Sequence, residues 1–292
     1  MNKWEGCDDP ATFEELGLWT GVPFDVYKTW PGLNKSKLWL AWEATLLEYR
    51  YAVDHPDDSD NKAFRIGHAS HTSVLEPEHF GEFYARTPDP PEGSDKWNRR
   101  TKAHKEAWNQ FLASSEGRIV LAPDEWDTMV AMCASVRSHP DAAKLLEISD
   151  KEVSFQWRDP SSGILLKGRA DIWANDIRAL ADLKFVREVN PGQFGNQAYR
   201  NGYHFQLAMY SDGIKVAAGV EPKPPVLIGI CKSPPHVVAM YQMDPNQLEL
   251  GRAQYHFALD RVTECDKEGR WPGYDGVMDL VFPSWAGCEL GA

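Results

Sequence analysis

The chain has 292 residues, of which 42% are hydrophobic and 25% charged, a size of roughly two ordinary domains or one large one and a composition that excludes a disordered or collagenous chain. No apolar run approaches the roughly 18 residues of a membrane helix, and five scattered cysteines without a C-x-x-C pair (Cys7, Cys133, Cys231, Cys265, Cys288) argue against a disulfide framework, a zinc knuckle or an iron–sulfur cluster. The net charge of −12 argues against a nucleic-acid partner if taken alone, because DNA binding neutralises phosphates with Lys and Arg. The charge is uneven, however: residues 91–120 and 151–220 hold 15 basic and 11 acidic side chains, against 16 and 32 in the rest. A local basic surface is therefore compatible with the total. Met1 to Asp9 lack the apolar segment of a signal peptide, so the expected location is the cytoplasm, with no membrane partner.

Along the chain, Asn34 to Val53 carries Leu38, Leu40, Ala41, Ala44, Leu47 and Tyr51 at helical spacing, with Asn34 or Ser36 as N-cap. A second helix is expected over Asn61 to Leu75, stopped before Pro77. The run Arg86-Thr-Pro-Asp-Pro-Pro-Glu-Gly-Ser-Asp95 reads as an exposed loop, and helices follow over Arg99 to Leu112 and Asp124 to Ser138. The texture then changes: Glu152 to Trp157, Ile164 to Trp173 and Arg178 to Val186 are short, rich in strand formers and separated by turn residues, which predicts an antiparallel meander. A helical stretch from Pro191 to Ala218 is interrupted near Asn201-Gly202. Strands over Pro225 to Lys232 and His236 to Met243, a helix from Pro245 to about Cys265 and a Trp- and Pro-rich tail complete the pattern. The expectation is one α/β domain over 1–292, mainly helical in 1–150, with its sheet and a packed helix in 151–243 and a helix and tail in 244–292.

The chemically informative segments are Lys167-Gly-Arg-Ala-Asp171 and Asp182-Leu-Lys184. Alternation along a strand puts Asp182 and Lys184 on one face, and a turn at Asn175-Asp176 would bring Asp171 beside them. Two carboxylates and an ammonium at one sheet edge suit Mg2+ or Mn2+, which take carboxylate and phosphate oxygens. A lysine there can orient or help deprotonate an attacking water, or neutralise phosphate. A lone D-x-K is most often an exposed ion pair, but this one lies on an otherwise apolar strand (Ala179, Leu180, Ala181, Leu183, Phe185, Val186), where charge needs a partner.

Asp171 followed by Asp182-x-Lys184 resembles the D...(D/E)-x-K signature of PD-(D/E)XK nucleases. Gly67-His-Ala-Ser-His71 with Leu75-Glu-Pro-Glu78 is similar to the G-x-x-x-H...L-E-P-E stretch of RecE-type (exodeoxyribonuclease VIII-like) phage exonucleases, and Gln206 to Tyr210 resembles their Q-x-x-x-Y helix. Glu152 to Trp157 looks like the strand leading into their motif, and Trp271-Pro-Gly-Tyr274 with Pro283-Ser-Trp285 is similar to their ending. The resemblance implies a restriction-endonuclease-like core with a central mixed sheet flanked by helices and an N-terminal helical elaboration. It makes Asp171, Asp182 and His71 the metal ligands and Lys184 the catalytic lysine; His68, on the same helix face, stays open as an alternative, as does Glu152 as a third carboxylate. Gln206 and Tyr210, an i,i+4 pair, would reach the bound phosphate or the Lys184 head, unless the Tyr is a core residue with Gln at its rim.

DNA contacts are expected from Arg99, Arg100, Lys102 and Lys105, with Lys96, Trp97 and Trp108 beside them, as a basic helix that tracks a backbone and stacks an end base; a solvated helix face is the alternative. Ser36 and Lys37, with Lys35, form a second phosphate candidate at a helix start. The implied activity is a Mg2+-dependent exodeoxyribonuclease, with Mn2+ substituting. It would digest linear double-stranded DNA 5′-to-3′ from its ends for phage-type recombination, beside a single-strand annealing protein and as a homo-oligomeric ring. A RecB-like or CRISPR-associated nuclease is the alternative enzyme, although its C-terminal cysteine cluster is missing here, and a non-catalytic DNA-end-binding protein is the alternative outside catalysis.

Overall fold

The computed structural model describes residues 1–55, 62–91, 96–98 and 100–282. In chain order the elements are β1 (Asn2–Lys3), β2 (Gly17–Thr20), α1 (Phe24–Thr29), α2 (Lys35–Glu43), α3 (Leu46–Asp54), α4 (Lys62–Leu75), α5 (Pro77–Phe83), β3 (Tyr84–Arg86), α6 (Lys102–Ser114), β4 (Ile119–Leu121), α7 (Pro123–Ser138) and α8 (Pro140–Glu147). They continue as β5 (Asp150–Arg158), β6 (Leu165–Ala174), β7 (Ala179–Val186), α9 (Pro191–Arg200), α10 (Tyr203–Ala218), β8 (Val226–Cys231), β9 (Val238–Gln242) and α11 (Pro245–Glu268). Seven strands form one mixed sheet in the order β1-β2-β5-β6-β7-β8-β9, while β3 and β4 pair separately. The expected meander is present: β5, β6 and β7 run antiparallel, β7 pairs parallel to β8, and β8 turns back antiparallel into β9.

Both faces of the sheet are covered. On one, α2, α3, α10 and α11 bring Leu38, Tyr49, Phe205, Met209, Ile214, Tyr255 and Leu259 against Phe155, Trp157, Leu166, Ala170 and Leu180. On the other, α4, α7 and α8 bring Ala69, Val74, Met129, Met132, Val136 and Leu146 against Ile172, Ala181, Leu183, Ile228 and Ile230. A third cluster of Phe13, Trp19, Val22, Tyr27 and Trp30 covers the start of the chain. Below it lies buried Lys167, whose ammonium donates to the carbonyls of Tyr27, Lys28 and Trp30 and so satisfies the end of α1.

Three local features differ from the sequence expectation, and an alternative it left open is resolved. The helix predicted over Asn34 to Val53 breaks at Ala44, because Thr45 and Glu48 form a capping box in which each side chain bonds the other's backbone amide and a new helix starts there. Pro77 and Pro140 open α5 and α8 instead of only ending the preceding helices, since proline at the first turn loses no hydrogen bond. The N-terminal part is not only helical: β2 is buried and pairs with β5, and at four residues it is too short to show a period. Asn34, not Ser36, caps α2, accepting from the Lys37 amide at 3.1 Å.

Helix α10 is buried along most of its length and approaches the sheet closely. A Cβ on Gly213 would sit 2.9 Å from Phe155 and Trp157. Gly213→Val therefore overpacks this contact, and the expected loss is about 1–3 kcal/mol, read as a lower urea midpoint with an unchanged slope.

Candidate active site

The sheet forks at the point where β6 leaves β7. Their ladder consists of Ala174 with Ala179, Trp173 with Leu180 and Ile172 with Ala181; beyond it β6 stays with β5 while β7 follows β8. Leu183, the next inward-facing residue on β7, has its amide pointing into the gap. Asp171 fills the gap, and its Oδ2 accepts from that amide at 2.7 Å. The carboxylate thus replaces a strand carbonyl, which fixes it at the head of the fork.

Asp182 and Lys184 project from β7 toward α10, as strand alternation requires. Asp182 is only 2% exposed. Its Oδ1 accepts from Gln206 Nε2 at 2.6 Å, while Gln206 Oε1 accepts from Lys184 Nζ at 3.2 Å. The Lys184 ammonium also contacts Asp182 Oδ2 and lies 4.6 Å from the Tyr203 ring centroid, a cation–π arrangement. Burial lowers the affinity of Lys184 for its proton, but the charges of Asp182 and Asp171 outweigh it and hold the pKa above the usual lysine value. Lys184 is an ammonium at neutral pH.

His71 approaches from α4. Its Nδ1 bonds the Gly67 carbonyl at 2.9 Å, one helical turn back, which leaves Nε2 to face Asp171 Oδ2 at 3.4 Å. Burial favours the neutral ring, but the charge and hydrogen bond of Asp171 prevail and raise the pKa to about 9. Burial likewise pushes Asp171 up, and His71 and then Lys184 bring it below the ordinary carboxylate value. Asp182 is shifted up by burial and by the charge of Asp171. Glu152 stands opposite Asp171, between the pairs Lys151 with Ile172 and Val153 with Ala170. It has φ of 53°, a conformation that is costly for a non-glycine residue and is concentrated at functional sites. Arg169 Nε grips its carboxylate while Arg169 Nη1 donates to Ser154 Oγ and the Val22 carbonyl, each at 2.8 Å. Burial is the main reason the Glu152 pKa is raised.

Residues 35–281 match the family of PDDEXK-like domains of unknown function (DUF3799). The chain belongs to this PDDEXK-like family. Its fold is similar to the crystal structure of a protein from Eubacterium rectale given the provisional designation exonuclease, with a TM-score of 0.55, 13% identity, and coverage of 89% of this chain and 93% of that one. No curated protein matches the sequence.

The PDDEXK-like site brings together Asp171, Asp182, Lys184, Gln206 and His71. His68 instead bonds the Tyr84 hydroxyl through Nδ1 at 2.6 Å and packs on Phe24. Tyr210 lies one turn beyond Gln206 but points deeper. It is 7% exposed and packs edge-on to Phe155 at 5.3 Å, the core position that was the alternative for it.

Of the expected DNA contacts, Arg99 lies outside the described residues, as does the Pro283 to Trp285 ending. Arg100, Lys102 and Lys105 are exposed at the start of α6, and no described contact joins them to the carboxylates. Trp97 and Trp108 pack on each other at 5.2 Å, and the Trp97 indole donates to the Pro88 carbonyl, so these rings are engaged inside the protein. Ser36 is exposed and Lys37 half-buried at the start of α2.

Sequence reasoning did not single out Tyr203 or Arg169. Tyr203 was findable, because it precedes Gln206 by three residues and shares its helix face. The side-on placement of Glu152 follows from counting the β5–β6 register outward from the turn.

A divalent cation fits this donor set. Among the described residues Asp182 Oδ2 is buried with the Lys184 ammonium as its one neighbour of opposite charge, so a cation can share that oxygen and relieve the burial of its charge. Hard oxygens with one imidazole match Mg2+ or Mn2+. No three His, Cys, Asp or Glu side chains among the described residues converge as a ready-made cage, since His71 is held as the ion-pair partner of Asp171 and Glu152 as that of Arg169.

The His71–Asp171 pair makes metal-free stability pH-dependent. His71 has a folded pKa of about 9 against an unfolded value of about 6.5, so its contribution is complete below pH 6.5 and is lost as pH rises through about 9. Thermal unfolding in chelator should show this alkaline loss in the wild type and not in His71→Ala.

Proposed function

We propose that this PDDEXK-like protein is a metal-dependent nuclease that hydrolyses phosphodiester bonds of linear double-stranded DNA from an end. The observation that carries the reading is the fork, which sets two buried carboxylates from adjacent strands beside one ammonium and one imidazole. Mg2+, with Mn2+ as substitute, is the proposed ion, held by Asp171 and Asp182 with His71 beside them. When bound, it supplies the positive charge that accepts a phosphate oxygen and acidifies a water.

The side chains do the rest. His71 must give up its proton to the solvent before its Nε2 can act as a ligand. Lys184, as an ammonium, donates to a phosphate oxygen and offsets the charge that grows there during in-line attack. In the metal-free protein the neighbouring acids hold its proton; once those acids hold a cation that grip loosens, and the lysine can help deprotonate the attacking water. Gln206, bonded to both Lys184 and Asp182, keeps the ammonium and the carboxylate at a fixed separation.

Digestion 5′-to-3′, a single-strand annealing protein as partner, a ring of identical subunits and a role in phage-type recombination are the finer parts of the proposal. They rest on the resemblance of the His71, D...D-x-K and Gln206 motifs to those of RecE-type phage exonucleases, and on nothing else.

End-labelled linear and closed circular duplexes incubated with and without Mg2+ test the reading on one gel. The linear duplex should shorten only with metal and the circle should persist; a cut circle, or an intact linear duplex in Mg2+ and Mn2+, overturns it. Asp182→Asn should lower the rate by more than about a hundredfold, and Gln206→Ala, which removes a support and no ligand, by about 10–100-fold. A gel shift without shortening identifies an end-binding protein instead.

A further inference from the structure

Lys35, the first residue of α2, reaches the same site from a different direction. Its Nζ donates to the Asn201 carbonyl at 2.7 Å and lies 5.1 Å from the Trp39 ring centroid. Asn201 ends α9, and Tyr203, two residues later, is the ring against which Lys184 rests. The Asn201 side chain donates to the Tyr203 hydroxyl at 3.0 Å, and Gly202 between them has φ of 63° with the Trp39 ring where a Cβ would stand. One rigid turn therefore carries two lysines, Lys35 on its carbonyl and Lys184 on its ring.

The two ammonium groups feel each other. Burial, followed by the charge of Lys184, lowers the Lys35 pKa to about 8, with Asp182 acting in the opposite sense. The carboxylates of the site are engaged by Lys184, Gln206 and His71. Lys35 takes one main-chain acceptor and no carboxylate among the described residues. Two cations on one turn are mutually unfavourable, and an anion bound beside both would offset their repulsion. The opening turn of α2 adds the positive end of a helix on the same side.

We infer that Lys35 binds the backbone phosphate adjacent to the one under attack and so holds the strand in register with the carboxylates. This rests on the nuclease reading, and the nucleic-acid backbone is the ligand class. Lys35 supplies one charge-assisted hydrogen bond and leaves the chemical step to Lys184 and the acids.

The test compares Lys35→Met, Lys35→Gln and Lys35→Arg in the full chain. With linear duplex and Mg2+, the Met and Gln variants should raise KM by about tenfold, the scale of one hydrogen bond to a charged group, and keep kcat within about threefold. The Arg variant should restore KM. Binding of a fluorescent duplex in metal-free buffer across a salt series should show the log–log slope reduced by about one in Met and Gln and unchanged in Arg. Unchanged KM and slope in Met or Gln overturn the inference. If the wild type cuts no DNA, the nuclease reading fails by itself, and the salt slope still decides whether Lys35 meets a phosphate. Lys35→Gln keeps a donor for the Asn201 carbonyl, so the comparison survives if Lys35→Met does not fold.

Discussion

The hydrogen bond from the Leu183 amide to Asp171 is the constraint on which the site is built. A sheet cannot split without leaving main-chain groups unpaired, and a buried unpaired amide costs about as much as a lost hydrogen bond. Here a side chain repairs the split, and it is an acid. Once the strands are parted in this way, β7 is free to run alongside β8, and its even-numbered side chains meet α10 in the space the split has opened.

The site also explains how an acidic protein accommodates three acids that are buried or half-buried together. Asp171, Asp182 and Glu152 face His71, Lys184 and Arg169, an equal number of cations. The set is neutral as a whole, although each carboxylate alone would be expensive to desolvate. Neutrality is reached with a proton on His71, so the arrangement holds one exchangeable positive charge. The net charge of −12 therefore says little about the local polarity at the fork, because that polarity is set by six side chains and by what they hold.

Much of this was legible in the sequence. The three-strand meander, the break near Gly202, β8, β9 and α11 follow from strand-former runs, turn residues and helical period, because those segments are long enough to display a pattern. Asp171, Asp182 and Lys184 stand out as charges on an otherwise apolar strand pair, whereas Gln206 and His71 are picked out by the family resemblance of their motifs. What escaped did so for identifiable reasons. β2 pairs at the sheet's far side with too few residues to show alternation, and Thr45 starts a helix inside an apolar period that runs on regardless. Tyr210 has the right spacing and the wrong depth, since a shared helix face does not say how far a side chain is buried. Arg169 looked like an ordinary strand residue until the register set its guanidinium beside Glu152. The basic and aromatic stretch at Lys96 to Trp108 carries the composition of a DNA-tracking helix, yet Trp97 and Trp108 pack edge-on against each other.

Helix α10 carries Gln206, Tyr210 and Gly213 within two turns, and it is located by the last of these, where backbone meets ring without an intervening side chain. The helix therefore behaves as a ruler: its zero mark is in the hydrophobic core and its graduations end at the reacting groups. Packing tolerance there is narrow, so a substitution that shifts the ruler by a fraction of a turn displaces the Gln206 amide and the Tyr210 ring together. The stability of the fold and the geometry of the Asp182, Lys184 and Gln206 set therefore depend on the same helix, and along α10 neither changes without the other.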